Sequence, residues 1–193
     1  LAVLDTFPFG MRGEWVHLEF KMPVVYMARR LQVPAYREVV PDWPDFSRFG
    51  RIVACESLST EHEEAIATGN VVRLPGPVRL RPGVIDTPVP AELEQIVDSG
   101  DSCLVVHGGP VSEIRELLSH ANGNVALITP WIEEAWSCPV FDYYPATNLL
   151  ERATRVISGA GYNTMADMLP YPERHTAIAF PRRFDDQAGR LGC

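Results

Sequence analysis

Short apolar runs recur along the chain, separated by polar residues, glycine and proline. Runs of this length bounded by turn residues are typical of buried strands, whereas apolar residues three and four positions apart are typical of helices. We predict strands at residues 1–4, 23–29, 51–55, 71–74, 102–106, 124–129, 156–157 and 177–180. We predict helices at residues 60–68, with Ser59 or Thr60 as the N-cap, and at 91–97, 111–118, 147–153 and from 163 onward.

Strands that alternate with helices predict an α/β protein with a parallel, doubly wound sheet, and the alternation is clearest in the second half. Residues 75–90 contain five prolines and two glycines, which a helix does not tolerate. We therefore expect the C-terminal part of a first domain at 1–74, a linker at 75–90 and a second domain at 91–193.

Composition limits the partners of the protein. The 193 residues carry 17 Lys and Arg against 25 Asp and Glu, a net charge of −8, which disfavours non-specific binding to nucleic acid. The four cysteines form no C-x-x-C pair, so neither a zinc site nor a disulfide scaffold is indicated, and a cytoplasmic location is expected. No apolar run has the length of a membrane span. The chain opens inside a strand pattern, so we expect it to be part of a longer protein.

A strand, a glycine turn and a helix follow each other at residues 156–168. Gly159 and Gly161 allow a ligand to approach the backbone, and the N-terminus of the helix offers unpaired N–H groups, which together suit a phosphate. Thr164 is the predicted N-cap, with Asp167 as its capping partner or as an acceptor for ribose hydroxyls. The alternative is a tight strand-to-helix connection that binds nothing.

A second glycine loop, His107, Gly108 and Gly109, follows the predicted strand at 102–106. Ligands of doubly wound sheets bind at the carboxyl ends of the strands, so two such loops in one half favour a shared crevice. His107 is a candidate general base or phosphate donor. The other interpretation is a hydrogen-bonded packing residue.

Two further segments carry candidate ligand groups. Asp186 and Gln187 follow the predicted strand at 177–180, and a carboxylate beside an amide suits sugar hydroxyls, although such residues also form ordinary solvated turns. Tyr143 and Tyr144 lie at a strand end, where one ring suits stacking on a base and the other suits the core. A predicted site for phosphate together with a predicted site for sugar hydroxyls indicates a sugar nucleotide as the ligand.

The order of these segments resembles that of a known family. The chain is similar to glycosyltransferases with two facing Rossmann-like halves, the GT-B type, in particular to the group that includes the bacterial enzyme adding N-acetylglucosamine to the lipid-linked peptidoglycan precursor. It is similar also to predicted bacterial glycosyltransferases that share a segment like residues 5–10. The segments that carry the resemblance are 76–79, 104–109, 156–164 with Asp167, and 181–187.

The resemblance implies a GT-B fold made of the tail of one Rossmann-like domain and a donor-binding domain. The two glycine loops hold the diphosphate, Asp167 the ribose, the Tyr143–Tyr144 loop the uracil, and the Asp186–Gln187 pair the sugar. The implied donor-binding residues are Arg79, Gly108, Gly109, Tyr143, Tyr144, Gly159, Gly161, Asn163, Thr164, Asp167, Asp186 and Gln187.

The expected activity is transfer of a sugar from a nucleoside diphosphate, UDP by the resemblance, to an acceptor with inversion and without a tightly bound metal or other cofactor. Most of the acceptor site is expected in an N-terminal half that the chain holds only in part, together with any peripheral membrane contact. Three alternatives stay open. One is a sugar-nucleotide epimerase of the same fold, and another is a non-catalytic donor-binding half that requires a partner chain. The third is a doubly wound domain that binds some other phosphorylated ligand.

Overall fold

A computed structural model describes residues 1–78 and 87–192, which form an α/β protein. The chain divides into two compact units, one of Leu1–Val78 with Pro181–Cys193 and one of Arg79–Phe180. The described strands are β1 Ala2–Asp5, β2 Val24–Ala28, β3 Arg51–Ala54, β4 Val71–Arg73, β5 Ser102–Val106, β6 Asn124–Ile128, β7 Val140–Phe141, β8 Arg155–Gly159 and β9 His175–Ile178. The described helices are α1 Val33–Val39, α2 Thr60–Ile66, α3 Ala91–Val97, α4 Val111–Ser119, α5 Thr147–Leu150, α6 Tyr162–Met168 and α7 Gln187–Leu191.

The first unit contains a four-stranded parallel sheet in the order β1-β2-β3-β4. Its core is rich in aromatic side chains, because Phe9, Tyr26, Tyr36, Phe46 and Phe49 pack within one buried cluster. Each aromatic side chain buries a large apolar area, so a few of them can form a core in a unit whose strands are short.

Of the two N-caps predicted for α2, Ser59 and Thr60, the structure has Ser59, whose side chain accepts a hydrogen bond from the backbone N–H of His62. Its hydroxyl thereby satisfies one of the backbone donors that a helix leaves unpaired at its N-terminus. Helix α3 also has the predicted bounds, 91–97, and β5 the predicted bounds 102–106.

The second unit contains a five-stranded parallel sheet in the order β7-β6-β5-β8-β9. Alternate residues of the central strands belong to two different buried clusters, since Leu104 and Val156 lie in one, and Val105 and Ile157 in the other. Side chains of a strand alternate between the two faces of the sheet, so both faces are covered. The sheet is therefore doubly wound as predicted, and its strand order is compatible with a Rossmann-like fold.

The C-terminal segment differs from the expected division, in which residues 91–193 form one domain. Pro181–Cys193 belongs to the first unit. Leu31 and Asp185 form an antiparallel bridge, and the backbone N–H of Gln32 donates to the carbonyl of Phe184 at 2.7 Å. The segment thus packs beside the residues that follow β2, a partner far away in sequence that a local pattern cannot reveal.

The predicted N-cap of α6 is wrong, although the helix begins within one residue of the predicted position. Strand β8 continues through Gly159, and α6 begins at Tyr162 with Gly161 as its N-cap. No side chain caps this helix, so Thr164 lies within its first turn and is not the cap. Helix α6 begins one residue before the predicted position 163, at Tyr162, which is 7% exposed.

Among the residues that the structure describes, no helix combines the length and the apolar composition that crossing a bilayer requires. Within 1–78 and 87–192, no group of three or more His, Cys, Asp or Glu side chains is arranged to hold a metal ion.

Candidate functional site

The strand order of the second unit creates a point where the winding of the chain reverses. Strand β5 lies between β6 and β8, so the loops after β5 and β8 leave the sheet side by side on neighbouring strands. The connection after β5 runs to α4 on the way to β6, whereas the connection after β8 runs to α6 on the way to β9. Crevices at such switch points are the usual ligand sites of open α/β sheets. Both predicted glycine loops therefore lie at the edge where a ligand is expected.

His107 links the two loops. Its Nε2 lies 2.7 Å from Oε2 of Glu113 in the first turn of α4. The opposite edge of the ring faces Gly159, where an added Cβ would lie 2.8 Å from Cε1 and 3.1 Å from Nδ1 of His107. A Cβ at Gly109 would likewise collide with Nε2 of the ring. Two of the predicted site glycines are thus required by the packing of one histidine side chain.

The imidazole of His107 is well enclosed. Its side chain is 9% exposed, that of Glu113 is 14% exposed, and the ring of Phe180 lies 5.3 Å from the imidazole between ring centroids. Among the described residues, Nδ1 of His107 has no hydrogen-bond partner. The ring therefore offers one unused polar atom, on the edge that faces the end of β8.

Gly108 and Gly161 differ from the other two loop glycines. A Cβ at either position would meet nothing within 4 Å, so both border open space. Gly161 has a φ of −70° and a ψ of 145°, which any residue can adopt. The glycine at these positions is therefore not demanded by packing or by backbone conformation within the described structure, and a ligand has room to approach.

The residues that open α6 lie next to this space. The first intrahelical hydrogen bond runs from the N–H of Met165 to the carbonyl of Gly161 at 3.1 Å, so the N–H groups of Asn163 and Thr164 precede it. Asp167 does not cap the helix. Its carboxylate accepts a hydrogen bond from the hydroxyl of Thr147 on α5 at 3.2 Å.

The two tyrosines after β7 have different environments. Tyr143 is 7% exposed, packs in a core cluster, and donates its hydroxyl to the carbonyl of Thr87 at 3.3 Å. Tyr144 is 77% exposed. One ring therefore packs in the core, as expected, and Tyr144 is the ring of the pair that is accessible for stacking.

Asp186 and Gln187 belong to the first unit. The carboxylate of Asp186 caps α7 by accepting from the N–H of Gly189 at 3.0 Å, and it pairs with Nε of Arg30 at 2.7 Å. Gln187 is buried, with 5% exposure. The structure thus gives the Asp186 carboxylate a capping and ion-pairing role that sequence reasoning did not consider. Arg79 lies outside the described residues.

Around Asp186 the first unit contains a small network of charges. Arg190 donates from Nε and Nη2 to the two carboxylate oxygens of Glu56, at 2.7 and 2.9 Å, and from Nη2 to Asp185 at 2.8 Å. Burial by itself lowers the pKa of the Arg190 guanidinium, and the hydrogen bonds to Glu56 and Asp185 outweigh it, so the pKa lies above its usual value. These ion pairs attach α7 to the loop after β3.

Two residues at the candidate site were missed from the sequence. Glu113 lies six positions after His107, across a glycine turn and in the first turn of a helix, a spacing that could have indicated the pair. Trp131, in the loop after β6, donates its indole N–H to the carbonyl of Gly109 at 2.8 Å, and the residue is 46% exposed. Only the structure reveals that Trp131 lies against the glycine loop.

A scan against protein-family models and searches among curated proteins and among solved structures gave no match to this chain. The functional interpretation therefore depends on the residues and the geometry described above.

Proposed function

We propose that the chain is the donor-binding portion of a glycosyltransferase of the GT-B type, which transfers a sugar from a uridine diphosphate donor to an acceptor with inversion. The observation that supports it most strongly is the convergence of two glycine loops at the switch point of a doubly wound parallel sheet. The open space beside Gly108 and Gly161 leaves room for a diphosphate next to the backbone.

In this proposal the diphosphate lies beside Gly161, where the N–H groups of Asn163 and Thr164 precede the first hydrogen bond of α6. The acceptor oxygen forms a bond to the anomeric carbon and gives up its proton to a general base, while the bond from that carbon to the diphosphate oxygen breaks and its electron pair leaves with the nucleotide. Donors fixed beside the departing oxygen stabilise the charge that develops there. The exposed ring of Tyr144 is the candidate partner for the base.

The test is calorimetric titration of the chain with UDP and UDP-sugars in the presence of a chelator, with ADP and dTDP for comparison. We expect saturable binding that prefers the uridine nucleotide. Gly161→Val should weaken it at least tenfold, because the added side chain fills the open space while the backbone angles suit valine. Ala67→Val is the control, since Ala67 is exposed and lies in the first unit, outside every proposed donor-binding segment.

Absence of UDP binding by the folded chain, or equal affinity for all three nucleotides, would contradict the proposal. The product then separates transfer from epimerisation. Transfer requires an acceptor and yields a glycosylated acceptor, whereas an epimerase of this kind consumes water and releases UDP and an epimerised free sugar with no acceptor present.

A further inference from the structure

The four strands of the first sheet follow each other in chain order, β1-β2-β3-β4, without a reversal. Crossovers between parallel strands are right-handed, so connections that all advance in one direction lie on the same face of the sheet. The structure agrees, since Tyr36 of α1 and Ile66 of α2 pack in one cluster with Tyr26 and Ile52 of the strands. Among the described residues, these connections therefore place no helix on the opposite face.

The second unit has the other arrangement. Its strand order reverses at β5, and two helices cover opposite faces of the sheet, with Leu93 of α3 in one buried cluster and Ile114 of α4 in the other. Parallel sheets are almost always covered on both faces, because crossover helices pack there and the strands are apolar on both sides. Within the part of the chain that the structure describes, the first sheet departs from this rule.

The second face of the first sheet, which we call the free face, consists of aliphatic side chains. They are in register across the four strands, since Val3 pairs with Val25, Met27 with Val53, and Val53 with Val72. None of these five belongs to a buried cluster of the described structure. Val3 is 58% exposed, and the other four are half-buried. A contiguous apolar surface of this kind marks an interaction site.

Charged residues border the free face at opposite ends of its strands. Asp5, at the carboxyl end of β1, is paired with Arg29 at 2.8 Å. Arg51, at the amino end of β3, is exposed, and no described residue forms an ion pair with it. The face therefore has one uncompensated positive charge, at its amino end.

An α-helix matches this pattern better than a second sheet or a bilayer does. An amphipathic helix presents an apolar stripe and leaves no backbone donor to be satisfied along it, as an aliphatic face requires. A helix that runs antiparallel to the strands places the negative end of its dipole beside Arg51, whereas a sheet has only a small net dipole. Anionic bilayers attract clusters of cations, and the chain has a net charge of −8.

We propose that the free face is a docking surface for an amphipathic helix of a separate protein partner. The helix runs antiparallel to β2 and β3, and its C-terminus lies beside Arg51. This inference does not depend on nucleotide binding by the second unit.

The probe is a synthetic fluorescent peptide of four helical turns, with leucines on one stripe and glutamates in the last turn. We expect it to bind the chain saturably, measured by fluorescence anisotropy. A peptide of the same composition whose leucines are scattered around the helix should bind about tenfold more weakly, because it cannot bury them together.

Met27→Lys places a charge in the middle of the free face. Met27 is half-buried and outside the core cluster, so the lysine can extend to solvent in the free chain, whereas a docked helix removes its ammonium group from water. We expect the affinity for the striped peptide to fall about tenfold or more. Met11→Lys is the matched control, since Met11 is 55% exposed in the loop after β1, and it should leave the affinity unchanged.

Arg51→Glu tests the direction of the helix. It should weaken binding of the glutamate-ended peptide and strengthen binding of an otherwise identical lysine-ended peptide, each about two- to fivefold, because charges act on the last turn of a helix. The same change for both peptides would overturn the antiparallel direction.

Absence of binding by the striped peptide, equal binding of the scattered one, or unchanged affinity in Met27→Lys would overturn the inference. The comparison of the two peptides uses the unaltered chain, so it tests the proposal even where a variant fails to fold. Light scattering that finds a dimer, converted to a monomer by Met27→Lys, would assign the free face to a second copy instead. Binding to neutral lipid vesicles that Met27→Lys abolishes would assign it to a membrane.

Discussion

His62 is the most unusual single residue of the first unit. It is completely buried, and its Nε2 lies 3.1 Å from the hydroxyl of Tyr26, which donates to the carbonyl of Thr6 at 3.0 Å. A tyrosine hydroxyl carries one hydrogen, so Nε2 of His62 must donate to it. Nδ1 is then a buried lone-pair nitrogen with no partner among the described residues. This environment accommodates a neutral ring and opposes a charged one.

Burial lowers the pKa of His62 from 6.5 to about 4. The unfolded chain therefore takes up a proton at a higher pH than the folded chain does. The contribution of neutral His62 to the free energy of unfolding is fully present above the unfolded pKa of 6.5. It declines as the pH falls below 6.5 and is smallest below about pH 4. At about pH 5 the loss from this residue is roughly 2 kcal/mol.

We predict that urea unfolding of the chain shows this loss between about pH 7 and pH 5, and that His62→Phe removes most of the difference. Phenylalanine keeps the aromatic packing against Tyr26 and does not titrate. The control is His17→Phe, because His17 is exposed, and it should keep the pH dependence of the original chain. If the free energy of unfolding falls equally with pH in His62→Phe and in the original chain, the acid sensitivity has another source.

At the scale of elements, the β8–α6 connection contains two glycines that serve different purposes. Gly159 ends β8 and leaves room for the ring of His107, whereas Gly161 borders open space and is the N-cap of α6. The sequence presents them as one motif, SGAG. Gly159 and Gly161 differ because only Gly159 has a side chain packed against it, and that side chain is His107 in the loop after β5.

We expect Gly159→Ala to lower the free energy of unfolding by about 1–3 kcal/mol, since the new methyl group collides with the imidazole of His107. Gly161→Ala should change it by less than about 0.5 kcal/mol or raise it slightly, because its backbone angles suit alanine. The measurement is chemical denaturation of each variant. Combining Gly159→Ala with His107→Ala should recover part of the lost free energy of unfolding, because the shorter side chain removes the collision. If the effects of the two substitutions simply add, the collision is not the cause of the loss.

At the scale of the molecule, the chain returns to its first unit after completing the sheet of the second. The return is fixed by ion pairs between residues far apart in sequence, Arg30 with Asp186 and Glu56 with Arg190. The side chains of Arg190 and Glu56 are 6% and 11% exposed. Removing one partner of such a pair leaves a buried charge uncompensated, which costs about 3–5 kcal/mol.

We predict that Arg190→Met weakens the first unit selectively. Hydrogen exchange followed by mass spectrometry should show faster exchange in peptides that cover β2 and β3, while peptides that cover β5 and β8 keep their protection. Arg51→Met is the control, since Arg51 is an exposed residue of β3. Unchanged exchange in β2 and β3 would mean that the Glu56–Arg190 pair contributes nothing to the unit.

Sequence reasoning was most successful where the relevant signal is local. The bounds of α3 and β5 agree with their periodicity, and the N-cap of α2 with its Ser59. It failed at the N-cap of α6, which is Gly161 and not the predicted Thr164. The predicted site residues form three groups in the structure: two glycine loops on neighbouring strands, a core tyrosine beside an exposed one, and a capping aspartate in the first unit.

Periodicity and turn residues were enough to predict the α/β class, most of the strands and helices, and the presence of glycine loops at strand ends, because these signals act within a few positions of the chain. Tertiary structure alone decided which glycines pack against a side chain and which border open space, and which carboxylates are paired. Each of those outcomes depends on partners brought together by the fold: 156 positions separate Arg30 from Asp186, and 134 separate Glu56 from Arg190. A chain carries no local mark of such contacts, since the free energy that forms them comes from burial and pairing of the assembled elements.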